Sequence, residues 1–218
     1  MLYLPFVIII QEQIMAAKIH NVWPVPLYET IIDIKDEWVD WVKSLDYQRM
    51  YSKNGDYTKD FYLLDQVPEL KNKIIQHKDD FFYNQLGASK HIELNLENSW
   101  ANQHSSGDFA QEHFHENSML SGCVYFDVPK NSGNIEFIRP NLYNNLFTNT
   151  VSVDYEYWNN YNCRQFWIEP VRGTLLFFPS WLPHSVGENK TNEKRYSLAF
   201  NFFARGKFGN GREGQLTV

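Results

Sequence analysis

The chain has 218 residues, enough for one domain with a full-sized core and short for two. Its 7 Trp, 13 Tyr and 16 Phe make up 17% of the sequence, a load that argues against a disordered chain and suits a densely packed, sheet-rich one. The net charge of −6 offers no field for nonspecific nucleic-acid binding, two cysteines cannot staple a secreted scaffold, and no apolar run reaches the roughly 20 residues of a membrane helix.

Residues 1–10, MLYLPFVIII, form an apolar run with no basic leader and a proline at position 5. A strand, a misassigned start ahead of Met15 and a vestigial signal compete for it, the first two ahead of the third. Residues 18–32 carry Pro24, Pro26 and β-branched residues, the composition of an extended edge strand. Trp38, Trp41, Val42 and Leu45 then make one helical stripe, with Asp33 or Asp36 as the cap. After the turn at Asn54-Gly55, a second helix is expected from Pro68 to Leu86, with Leu70, Ile74, Phe81 and Phe82 buried and Gly87 ending it.

From residue 91 the period changes to two: Ile92, Leu94 and Leu96 alternate with polar neighbours. Further strands are expected at 109–115, 119–128, 134–138, 150–155, 164–169, 173–178 and 194–204. Helices followed by many strands is an α+β pattern, mainly β, in which helices buttress a sandwich or barrel. The Asn- and Tyr-rich stretch 139–163 is a candidate lid. The glycine-rich end after 204 reads as a loose tail, and Cys123 and Cys163 read as free thiols in a reducing compartment.

His113-Phe114-His115 lies in a strand-like stretch, where residues two apart face the same way. Two imidazoles on one side can start a divalent transition-metal site; the alternative is a pair of surface hydrogen-bonding groups. Downstream come His184 and then Arg195-Tyr196-Ser197. In the terminal strand Arg195, Ser197, Ala199 and Asn201 share one face, while Tyr196, Leu198, Phe200 and Phe202 share the other. The bulky face can pack on helices and the small polar face can line a cavity. An arginine there needs an anion, because an unpaired buried guanidinium is costly. A dicarboxylic acid would serve, and an internal Arg–Glu bridge would serve as well.

This order of motifs resembles the iron(II)/2-oxoglutarate-dependent oxygenases, in particular their prolyl-hydroxylase-like branch. It is most similar to a sparsely characterised set of phage and bacterial chains that share W-x-N, H-x-H, S-G and F-P-S-W-L-x-H-x-V. The matching residues here are Trp100-Ala101-Asn102, His113-Phe114-His115, Ser121-Gly122 and Phe178 to Val186. Ile19-His20 and Trp23-Pro24 resemble the start of such chains, which favours Met15 as the beginning.

The resemblance implies a double-stranded β-helix (jelly roll) in a single domain, with helical support at 33–87, the β-helix at 91–204 and 1–14 as an upstream extension. It implies iron(II), 2-oxoglutarate and dioxygen as cofactors, with ascorbate as a reductant, and hydroxylation with release of succinate and carbon dioxide. It assigns the metal to His113, His115 and His184, and the distal carboxylate of 2-oxoglutarate to Arg195 with Ser197. Tyr125 and Asn102 are candidate second contacts, and parity with Cys123, and with Leu94, Leu96 and Trp100, respectively, turns them inward. The usual triad holds a carboxylate where this chain has His115, so Glu116 is kept as a reserve ligand. The expected partner is a small-molecule or peptidyl substrate, with no nucleic acid and no membrane, and with room for a homodimer. The expected setting is the cytoplasm of a bacterium or of a phage-infected host. The competing readings are a non-catalytic binding module on the same fold, or a three-histidine metal enzyme that does not use 2-oxoglutarate.

Overall fold

The computed structural model describes residues 20–21, 24–49, 55–140, 154–209 and 216–218. The expectations for residues 1–14 and Met15, for Asn54, for positions 141–153 of the candidate lid and for positions 150–153 of the strand expected at 150–155 lie outside these residues; 154–155 are not strand. Among the described residues, no helix is long and apolar enough to cross a membrane.

Among the described residues, the first regular element is strand β1 (Tyr28–Ile31), which pairs only with β9 (Thr174–Pro179) and so forms the expected edge. Pro24 and Pro26 stay ahead of it in extended chain, because a proline has no N–H to give a ladder. Helix α1 (Asp36–Ser44) buries Trp38, Val39 and Val42, whereas Trp41 is only half-buried. Its N-cap is Lys35, which makes no side-chain cap; Asp36 opens the first turn, where a carboxylate faces the helix dipole. The expected cap at Asp33 or Asp36 is therefore off by position. Two short strands that periodicity does not reveal, β2 (Tyr47–Arg49) and β3 (Asp56–Thr58), pair into a ribbon.

Helix α2 (Pro68–Asp79) starts at a proline, as read, and buries Leu70 and Ile74. It does not continue as α to Leu86. Asp80–Gln85 widens into a π-helix that still buries Phe81, and Gly87 at φ +70° ends it.

The rest is antiparallel β: β4 (Ile92–His104), β5 (Ala110–His113), β6 (Leu120–Asp127), β7 (Ile135–Ile138), β8 (Gln165–Ile168), β9, β10 (His184–Val186), β11 (Arg195–Phe208) and β12 (Leu216–Thr217). The large sheet runs β1-β9-β6-β11-β4-β3-β2, with β12 also on β11, and the small sheet runs β5-β10-β7-β8. Two facing antiparallel sheets make the jelly roll. The end expected as a loose tail instead extends β11 and returns as β12, with Phe208 opposite Leu216.

Two apolar layers flank the large sheet. Its outer face joins Val124, Phe126, Phe177, Leu198, Phe200 and Phe202 to the helices. Its inner face joins Cys123, Tyr125, Leu176 and Phe178 to Ile135, Phe137 and Ile168 of the small sheet. The alternation along β11 holds: Leu198, Phe200 and Phe202 are fully buried under the helices, so Arg195, Ser197, Ala199 and Asn201 face the other way, between the sheets.

Candidate metal and cofactor site

Strand pairing brings the three histidines together. His184 on β10 lies directly opposite His113 on β5. His115 stands two residues past the end of β5, not on the strand as expected. Its amide donates to the Ser180 carbonyl at 2.9 Å, which holds that piece of chain against the turn after β9. The ring centroids are 4.3 Å apart for His113–His184, 5.1 Å for His115–His184 and 5.5 Å for His113–His115. One ligand nitrogen from each lies within 4.8 Å of the others. Glu116, the reserve ligand, is exposed in a turn and outside this group; Glu112, exposed on β5, is outside it too.

Each ring is oriented by its Nδ1. That of His113 meets the Gln111 carbonyl at 2.7 Å, and that of His184 the Leu182 carbonyl at 2.9 Å. A carbonyl only accepts, so both Nδ1 atoms carry the proton and both Nε2 lone pairs are free. His115 Nδ1 lies 2.6 Å from Asn201 Oδ1, whose amide nitrogen donates to Asn98 at 2.9 Å, which fixes the same tautomer. Burial pushes the pKa of His184 down to about 3 and lowers that of His115, so both rings are neutral donors at neutral pH. Three converging imidazole nitrogens are a donor set for a divalent transition metal.

Inward from this cluster, in-register rows line the gap between the sheets. Asn98, Asn201 and Ser121 form one row, Trp100, Ala199 and Cys123 the next, and Asn102, Ser197 and Tyr125 a third. Arg195 opposite His104 closes the series. The middle of this slot has short side chains at Cys123, Ser197 and Ala199, and its floor is Leu176 and Phe178.

Asn102 thus points inward, but not for the reason of its parity with Leu94 and Leu96. The register between β4 and β11 shifts where Asn201 pairs with Asn98 and Phe202 with Leu96. That bulge leaves Leu94 and Leu96 under the helices and turns Trp100, Asn102 and His104 to the opposite face. Tyr125 is 2% exposed in the inner layer with Cys123, as its parity implies.

Arg195 is 2% exposed. Its Nη1 donates to the carbonyls of Ser132 at 3.2 Å and Gly133 at 2.9 Å, and its Nη2 to His104 Nδ1. Its guanidinium carbon sits 5.8 Å from the Tyr125 ring centroid. Among the described residues no carboxylate forms an ion pair with it, so the internal Arg–Glu bridge is absent. Among the described residues, Arg195 Nε and Ser132 Oγ are buried without a hydrogen-bond partner. A buried, uncompensated guanidinium with a free donor, at the far end of a slot from three imidazoles, fits a ligand that carries a carboxylate at one end and metal-binding oxygens at the other.

His104 has no partner spacing in the sequence; its partner is reached only through the β4–β11 register. Within the Phe178 to Val186 motif, Trp181 is half exposed, while Phe178 and Leu182 are buried. Arg139 is tied to the carbonyls of Asn160 at 2.6 Å and Tyr161 at 3.1 Å, so it braces the described end of the candidate lid.

A family model described as "Putative 2OG-Fe(II) oxygenase" matches residues 98–201. That span runs from the first row of the slot to Asn201. No curated protein sequence matches the chain. Among solved structures, the fold is similar to the non-heme alpha ketoglutarate dependent epimerase SnoN from nogalamycin biosynthesis, at 15% identity over 87% of this chain and 83% of that one, with a TM-score of 0.60. HygX from Streptomyces hygroscopicus, solved with nickel and 2-oxoglutarate bound, is similar at 11% identity over 82% of each chain, with a TM-score of 0.53. A Pseudomonas putida prolyl-4-hydroxylase is similar at 16% identity over 84% of this chain and 94% of that one, with a TM-score of 0.50. At such identities the likeness is one of fold.

Proposed function

We propose that this chain is a 2OG-Fe(II) oxygenase that hydroxylates a small-molecule or peptidyl substrate while 2-oxoglutarate is converted to succinate and carbon dioxide; the family model over residues 98–201 supports this reading. The observation that carries this reading is Arg195: a buried guanidinium with no carboxylate partner, facing the same slot as three converging imidazoles.

In this reading His113, His115 and His184 hold iron(II) through Nε2. Arg195 receives the distal carboxylate of 2-oxoglutarate, with Ser197 donating a hydroxyl hydrogen bond and Tyr125 and Asn102 as further contacts. Bound iron with 2-oxoglutarate and dioxygen supplies the oxidising chemistry. The protein's own part is geometry, charge and dryness. The Nδ1–H bonds hold three rings in one tautomer. Leu176 and Phe178, 0% and 1% exposed, keep the slot floor apolar. A low-dielectric surrounding strengthens the pull of Arg195 on an anion. No side chain is required as a general acid or base.

The test is succinate release from the purified protein with iron(II), 2-oxoglutarate and ascorbate. Turnover above the protein-free blank, abolished in His184→Ala, is the expected result. Equal release by wild type and His184→Ala would contradict the metal assignment.

A further inference from the structure

His104 and Arg195 are opposite one another on neighbouring strands, and both are buried, at 4% and 2% exposure. A guanidinium has donors only, so in the bond between them His104 Nδ1 accepts and is the unprotonated nitrogen. Burial, and then the charges of Arg195 and Arg49, push the His104 pKa down to about 3, so the ring is neutral at neutral pH.

The other acceptors on Arg195 are the carbonyls of Ser132 and Gly133. All three acceptors are uncharged. Asp56, which pairs with Gln103 beside His104, and Asp108, just past the end of β4, are ion-paired to Arg49 at 2.8 and 2.6 Å. Three neutral acceptors for five N–H groups fix the direction of the guanidinium and leave its charge uncancelled, with Nε free.

Backbone packing fixes the acceptors in turn. Gly55 lies at φ +79°, and a Cβ there would fall 2.2 Å from His104 Cδ2, so the chain entering β3 is laid directly on the ring. Gly133 lies at φ +96°, and a Cβ there would fall 2.0 Å from the Gly187 carbonyl oxygen, so the turn that offers its carbonyls is wedged against the chain leaving β10.

Resting on the reading that Arg195 takes the distal carboxylate of 2-oxoglutarate, we propose that His104 is the positioning residue for that guanidinium. It anchors Nη2 as a neutral acceptor and so keeps a full positive charge and the Nε–H for a dicarboxylate. An acidic residue in its place would hold the arginine as firmly and neutralise it.

Three substitutions separate these effects: His104→Asn, which keeps a neutral acceptor near the Nδ1 position, His104→Leu, which removes it, and His104→Asp, which makes it an anion. The anaerobic iron(II)-loaded protein is titrated with 2-oxoglutarate by calorimetry, and the melting temperature is read without 2-oxoglutarate. Affinity should stay within about threefold in the asparagine variant, fall roughly tenfold in the leucine variant and fall roughly a hundredfold in the aspartate variant. The aspartate variant should nonetheless melt at or above the leucine variant. A merely structural role would lower affinity and stability together. Wild-type-like binding by the aspartate variant, or losses that track melting temperature, would overturn the proposal while leaving the cofactor reading intact. If the aspartate variant does not fold, equal losses in the asparagine and leucine variants would overturn it. A wild type that binds no 2-oxoglutarate would remove the cofactor reading and this proposal together.

Discussion

Asn201 shows how much one residue decides. Its Oδ1 accepts from His115 at 2.6 Å and from Ser121 Oγ at 2.7 Å, while its amide nitrogen donates to Asn98. Both ends of the amide are engaged, so its orientation and the tautomer of His115 are set together. Ser121 continues to Ser180 at 2.8 Å, and the Ser180 carbonyl holds the His115 amide. His115, the candidate ligand, is thus fixed from side chain and backbone at once. Removing such a partner of a metal-binding histidine costs roughly 10–100-fold in metal affinity. Asn201→Leu should show that loss, whereas Asn201→Asp, which keeps the acceptor, should bind at least as tightly as wild type. Competition with a chromogenic chelator measures both; unchanged affinity in the leucine variant would show that the hydrogen bond does not set the ligand.

Strand β11 carries both halves of the design, one on each face. Its outer face is an aromatic seam, with Phe200 5.5 Å from Phe177 and 5.8 Å from Phe202 by ring centroids. Phe200 is fully buried, and truncating such a residue leaves a cavity worth about 3–5 kcal/mol. Phe200→Ala should lose that much by urea denaturation; a loss below about 1 kcal/mol would mean that the seam repacks freely. This strand is legible from sequence because bulky and small residues alternate from Arg195 to Phe202, so the directions of Arg195 and Ser197 follow. Strand β4 is not, because its bulge beside Leu96 reverses parity midway and nothing in the local sequence marks it. The direction read for Asn102 was right and its argument was not. His104 was lost for a related reason. Its partner is 91 residues away and is found only once β4 is paired with β11. The π-helical turn after Asp79 likewise has no period that a stripe of apolar residues reveals.

At the scale of the whole molecule, the sandwich separates its tasks between the two faces of one sheet. Helices α1 and α2 cover the outer face, and the metal-binding candidates sit between the sheets. The histidines come from the small-sheet side of the slot and the arginine from the far end of the large sheet, so a ligand that spans them must be bifunctional. The motif order His113, His115, His184, Arg195 carried this much in sequence, since each motif falls on an element that the two sheets bring together. What the order does not contain is distance across the gap, which depends on sheet packing. The central claim is that one ligand bridges iron at the histidines and charge at Arg195. Anaerobic titration of iron(II)-loaded protein with 2-oxoglutarate, followed by the metal-to-ligand absorption band, tests it directly. Wild type should develop the band, and Arg195→Ala should need roughly ten to a hundred times more 2-oxoglutarate with its iron affinity unchanged. A wild type without the band, or an alanine variant that binds as tightly as wild type, would contradict the account.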